Sequence, residues 1–235
     1  MSLEQLFARA DGLDALRIAI AGASLVFAFV YLAFLDAPAS TARTTLKTLP
    51  IALLALLPAT YFSVVGSFTG ALVVLVLALA LSALGDFFLA LRDQERYFVP
   101  GLASFLGAHL AYLVAFLPRA SMPSVFALVA IGAAFAAAGA LIVVLAPRLG
   151  RLRWPVFAYF AVIMAMVAAA LSIREASWIL GAGAVIFALS DSLIAVRKFM
   201  GPFPYNNEAV WITYIAAQFM IAGGLLTLLI PAQVG

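Results

Sequence analysis

Residues 68–91 read FTGALVVLVLALALSALGDFFLAL, an apolar run whose one acid, Asp86, lies near its end. As a helix rising about 1.5 Å per residue, such a stretch crosses the roughly 30 Å of a bilayer's hydrocarbon. It lacks the strict apolar–polar alternation of a membrane-barrel strand. Inside lipid the backbone must satisfy its own hydrogen bonds, so a transmembrane helix is what remains.

Runs of the same kind recur along the chain. They place spans at 14–35, 47–65, 68–91, 98–117, 124–146, 154–173, 176–197 and 209–231. Breakers separate them at Asp36 to Pro38, Gly66, Pro118 to Pro123, Pro147, and Gly201 to Pro204. Pro50 and Pro100 are expected in first turns, where a missing N–H costs little, and Pro58 is expected to kink the second span. Composition agrees: of 235 residues 67% are hydrophobic and 10% charged, and the mean hydropathy is +1.19. A soluble domain is nearer about half apolar and about a quarter charged. The expected fold is an all-α membrane protein of eight transmembrane helices, a single domain over 1–235.

The thirteen Lys and Arg residues divide unevenly between the two sides. Arg9, Arg17, Arg119 and Arg174 fall on the side of the N-terminus. Arg43, Lys47, Arg92, Arg96, Arg148, Arg151, Arg153, Arg197 and Lys198 fall on the other. The positive-inside rule makes the second side cytoplasmic and puts both termini outside a multi-pass cell-membrane protein. The basic residues sit singly or in small groups at span ends, which suits topology and argues against nucleic acid. One His and no Cys leave no expected metal site, and no cofactor is expected.

The second half echoes the first. Ala83-Leu84-Gly85-Asp86-Phe87-Phe88-Leu89-Ala90-Leu91-Arg92 aligns with Ala188-Leu189-Ser190-Asp191-Ser192-Leu193-Ile194-Ala195-Val196-Arg197, with the Asp and Arg in register. A weaker match sets Ser104 to His109 on Thr213 to Gln218. Four spans separate the copies, so they share one orientation, a parallel 4+4 repeat with halves near 14–117 and 124–231.

Ionisable groups inside spans are costly and mark candidate sites. Asp86 and Asp191 each lie six residues before an Arg, about 9 Å into the membrane. They are the candidate catalytic pair. His109, Tyr159 and Gln218 fall in the cytoplasmic half or near mid-bilayer, and with Tyr112 and Tyr214, which line a cavity or pack, they are candidate substrate-binding residues. Lys47, Arg92 and Arg197 stand at the cytoplasmic interface, where basic side chains suit a phosphate. Each has a plainer reading. The acids could be structural partners of Arg92 and Arg197, the polar residues interhelical glue, and the basic ones topology anchors. A small transporter or channel with acids along its pathway, a scaffolding bundle, and a zinc-dependent lipid hydrolase are the rival classes. A single His weighs against the last.

Gly85-Asp86 followed by Gly101 to Tyr112, with its Phe105-x-x-x-His109, resembles the central signature of the YhhN-like lysoplasmalogenase family. So does Ser190-Asp191 followed by Tyr214-x-x-x-Gln218. Lys47-Thr48-Leu49-Pro50 is similar to that family's Lys-Pro segment, with two residues between the Lys and the Pro. The resemblance covers about Lys47 to Gly224. It implies a membrane hydrolase that cleaves the vinyl ether bond of a lysophospholipid, releasing a fatty aldehyde and glycerophosphoethanolamine or glycerophosphocholine. Vinyl ether hydrolysis needs a proton donor for carbon and an anion or base beside the resulting cation, which two carboxyls sharing a proton would supply.

Overall fold

The computed structural model describes residues 2–65, 70–174 and 178–230. The Gly66 turn, the first two residues of the third and seventh expected spans, and residue 231 lie outside these. The described residues form α1 (Leu3–Phe7), α2 (Asp14–Leu32), α3 (Thr41–Leu54), α4 (Gly70–Ala90), α5 (Gln94–Phe116), α6 (Val125–Leu145), α7 (Arg153–Leu171), α8 (Trp178–Met200) and α9 (Asn206–Leu229). Among the described residues, the seven helices α2 and α4 to α9 are long and apolar enough to cross a membrane.

The second expected span differs. Its helix begins at Thr41, because Ser40 accepts the Arg43 N–H at 3.2 Å as an N-cap. It ends at Leu54, ahead of Pro58. An α-helix would bond the Leu54 carbonyl from residue 58, but proline has no N–H to give. The Leu57 N–H takes that carbonyl instead, at 3.1 Å, and the chain tightens into a 3₁₀ turn over Pro58–Tyr61. The early start also moves Pro50 out of the first turn and into the helix interior. There the Pro50 carbonyl accepts a hydrogen bond from the buried Ser24 hydroxyl of α2 at 2.7 Å. Pro100 likewise lies inside α5, since Asp93 accepts the Arg96 N–H at 3.0 Å and starts that helix early.

The chain divides into two compact units. The first comprises Met1–Ala115 and Ala222 onward; the second is Phe116–Ile221. In the first, α3 packs against both α2 and α4. Arg43 donates to the Phe34 and Leu35 carbonyls, closing the end of α2. Arg17, expected as a flanking charge, is fully buried. It pairs with Asp11 at 2.7 Å and Asp14 at 3.0 Å. It also donates to the Thr60 carbonyl at 2.9 Å and lies 4.2 Å from the centre of the Tyr61 ring. Tyr61 in turn donates to the Leu6 carbonyl at 2.8 Å. Hydrogen bonding from Arg17 holds the Asp11 carboxyl below its ordinary range. In the second unit α6, α7 and α8 pack on one another. Among them α6 buries little beyond Ala127, Ala138 and Leu145, whereas α7 buries a near-continuous set from Val156 to Ala170.

Candidate active site

In the first unit the end of α4 meets α5 through glycine. A Cβ on Gly85 would lie 2.6 Å from the Phe105 ring, and one on Gly101 would lie 2.8 Å from the Leu89 side chain. The helices can therefore approach closely only because these side chains are missing. Asp86, next to Gly85, is 2% exposed. One turn beyond Phe105, the buried His109 places Nδ1 2.6 Å from the Phe105 carbonyl. A carbonyl only accepts, so Nδ1 carries a proton and donates to it. Tyr112, one turn further on, is also fully buried. Arg92, just past α4, is exposed, and Lys47 on α3 is half-buried.

In the second unit the corresponding acid is held by hydrogen bonds. Asp191 of α8 is 7% exposed and accepts the Tyr159 hydroxyl of α7 at 2.6 Å. The neighbouring Ser190 donates to the Val210 carbonyl of α9 at 3.0 Å. Arg197 donates to the Asn207 side chain at the opening of α9. Tyr214 packs edge-on against Phe187, with ring centres 5.6 Å apart, and lies beside Trp211 at 5.9 Å. Gln218, one turn after Tyr214, is fully buried. Of the residues singled out in the sequence, Tyr159 and Asp191 are thus joined directly. Asn207, Phe187 and Trp211 are partners that no sequence motif pointed to.

Chemically, each unit holds one buried carboxyl six residues before an Arg, with aromatic and amide or imidazole groups on the following helix. The sequence model of the YhhN family matches residues 42–225. A lysoplasmalogenase of Mycobacterium bovis is 40% identical over 158 residues, covering 64% of this chain and 59% of the relative. Lysoplasmalogenase TMEM86A of Bos taurus is 35% identical over 155 residues, covering 61% of each chain. Human lysoplasmalogenase TMEM86B is 34% identical over 155 residues, covering 66% of this chain and 64% of the relative. The chain thus spans about three fifths of the length of the curated relatives it matches. No solved structure matches it. With the family match running from the start of α3 into the last turns of α9, and taking in both buried acids, the chain belongs to the YhhN family.

Proposed function

We propose that the chain is a membrane lysoplasmalogenase, hydrolysing the vinyl ether bond of a lysophospholipid to a fatty aldehyde and glycerophosphoethanolamine or glycerophosphocholine. The observation that carries this reading is the pair of buried carboxyls, Asp86 and Asp191, each in an apolar helix and aligned in sequence. The relatives named above, all called lysoplasmalogenases, supply the substrate class.

In the proposed reaction one carboxyl protonates the β-carbon of the vinyl ether, leaving an oxocarbenium ion. Water adds to the α-carbon, its proton passing to the other carboxylate, and the hemiacetal collapses to aldehyde and glycerol hydroxyl. The Tyr159 hydroxyl donates to Asp191, a bond that favours the ionised form of that carboxyl, and either acid could serve as the donor to carbon. His109, Tyr112, Tyr214 and Gln218 would line the reacting end of the lipid. Lys47, Arg92 and Arg197 would face its phosphate.

The eight-span parallel 4+4 architecture belongs to the same proposal. Alone, α3 spans about 21 Å, too short for the hydrocarbon core. Continued through the 3₁₀ turn at Pro58–Tyr61, the segment reaches roughly 30 Å. Both termini would then be extracytoplasmic in the cell membrane. A reporter fused at the C-terminus should read that side, and a cytoplasmic reading would mean an odd span count or an inverted protein.

The decisive experiment incubates purified protein with a lysoplasmalogen and measures aldehyde release. Chelator-resistant turnover is the expected result. No aldehyde from folded protein would return the chain to the transporter or scaffold classes.

A further inference from the structure

Within the second unit, the turn between α6 and α7 carries Arg148, Arg151 and Arg153, all exposed. One apolar span ends at Arg148 and the next begins at Gly150, so the three cations stand where the chain meets the headgroups. The turn is a fixed piece of the fold. Two 3₁₀ turns, Ala146–Arg148 and Gly150–Leu152, continue the helix ends. Leu149 between them is buried, and Gly150 takes a φ of +50°.

None of the three has a carboxylate partner among the described residues. Arg148 donates to the Val144 carbonyl at 2.8 Å, at the end of α6 where a helix dipole favours a cation. Arg153 lies 5.4 Å from the centre of the Phe157 ring. Arg151 makes no hydrogen bond or ring contact among the described residues. The sequence offers them little relief, since no Asp or Glu occurs between Glu95 and Glu175. Arg153 also opens α7, the positive end of a helix dipole, where a cation is disfavoured and an anion favoured. Beside the cations the surface is apolar. Trp154 is 76% exposed and meets Phe157 edge-on, with ring centres 5.9 Å apart. Val143 and Val144 are exposed too. An exposed Trp at a span end belongs at headgroup level, between chains and water.

We propose that the α6–α7 turn is a binding surface for anionic phospholipids. Arg151 and Arg153 hold the phosphodiester, which a planar guanidinium can grip with two parallel hydrogen bonds. The lipid chains lie along Trp154 and Val144. A zwitterionic headgroup would bring an ammonium up to a surface that is wholly basic, so lipids of net negative charge are selected. The surface shares no residue with the proposed hydrolysis and does not depend on it.

The test places the full chain in phosphatidylcholine vesicles holding a minority of lipid with brominated chains, either phosphatidylglycerol or phosphatidylcholine. Bromine quenches tryptophan fluorescence on contact. Brominated phosphatidylglycerol should quench at about fivefold lower mole fraction, the scale of one Arg at an anionic lipid surface, and high salt should shrink that preference. Trp154→Phe should remove the preferential part of the signal, which locates it at this turn. Arg151→Gln with Arg153→Gln should make the two lipids equivalent, while Arg151→Lys with Arg153→Lys, which keeps the charge, should retain most of the preference. Arg96→Gln, a charge removed from the other unit, should leave it unchanged. Equal quenching by the two lipids in the wild type would overturn the surface, as would a preference that survives the double Gln variant. Inorganic phosphate that abolishes the preference where chloride of equal ionic strength does not would make this a site for a free anion and overturn the lipid assignment.

Discussion

The two acids align in sequence, yet the residues that precede them, Gly85 and Ser190, join their helices to the next by different means. Beside Asp86 the helices meet ring on glycine, Phe105 against Gly85. Beside Asp191 they are tied by Ser190 to the Val210 carbonyl and by Tyr159 to the carboxylate itself. Glycine in one copy and serine in the other are therefore not interchangeable. The first is required for close approach; the second supplies a donor. The neighbour of each acid thus serves its own helix contact, Gly85 by leaving room for the Phe105 ring and Ser190 by donating to the Val210 carbonyl.

The largest expected effect tests whether both acids belong to the chemistry. Asp86→Asn and Asp191→Asn should each lower kcat by at least about 10²-fold while the protein stays folded and inserted. Near-full turnover in either folded variant would end the two-carboxylate mechanism.

Tyr159→Phe sharpens the asymmetry. Removing the hydroxyl that Asp191 accepts should lower kcat about tenfold, in line with the loss of one charge-assisted hydrogen bond, with KM unchanged. An equal loss through KM alone would make Tyr159 a wall of the lipid site rather than a positioning residue.

The smallest effects concern stability and compare the two neighbours directly. Gly85→Ala places a Cβ in the Phe105 ring, and overpacking of that kind should cost about 1–3 kcal/mol against a helix-propensity gain of about 1 kcal/mol. Ser190→Ala loses one hydrogen bond and should cost about 1 kcal/mol or less. Thermal unfolding in detergent reads both. A Gly85→Ala protein more stable than wild type would mean that Phe105 can move away freely, and that the Asp86 environment is not fixed by packing.

Much of the helical layout was legible because an apolar run of span length has few alternatives in lipid. The bounds of the helix in the second expected span were not legible, because Thr41 to Lys47 is polar yet helical and hydropathy ignores a Ser40 cap. The break at Pro58 was visible as a residue, but its outcome depended on which N–H would take the Leu54 carbonyl. Asp86, Asp191, Tyr159, Tyr214 and Gln218 stood out as polar residues in apolar runs, and all are buried. The bond between Tyr159 and Asp191 was not legible, since it joins residues 32 positions apart. Arg17 was read as a flanking charge. Asp14, three residues before it on one helix face, was the available sign that its charge is neutralised within the fold.

The discontinuity of the first unit bears on how the protein is made. Its first 115 residues leave the ribosome before the second unit exists, but its remaining piece begins only at Ala222. Gly223 in that late piece packs against the start of the chain: a Cβ there would fall 2.9 Å from the Leu3 side chain. The earliest-synthesised unit must therefore wait through the insertion of every later span before its last turns arrive. A chain cut short before Ala222 would strand an incomplete unit in the bilayer, where quality control rather than catalysis would decide its fate.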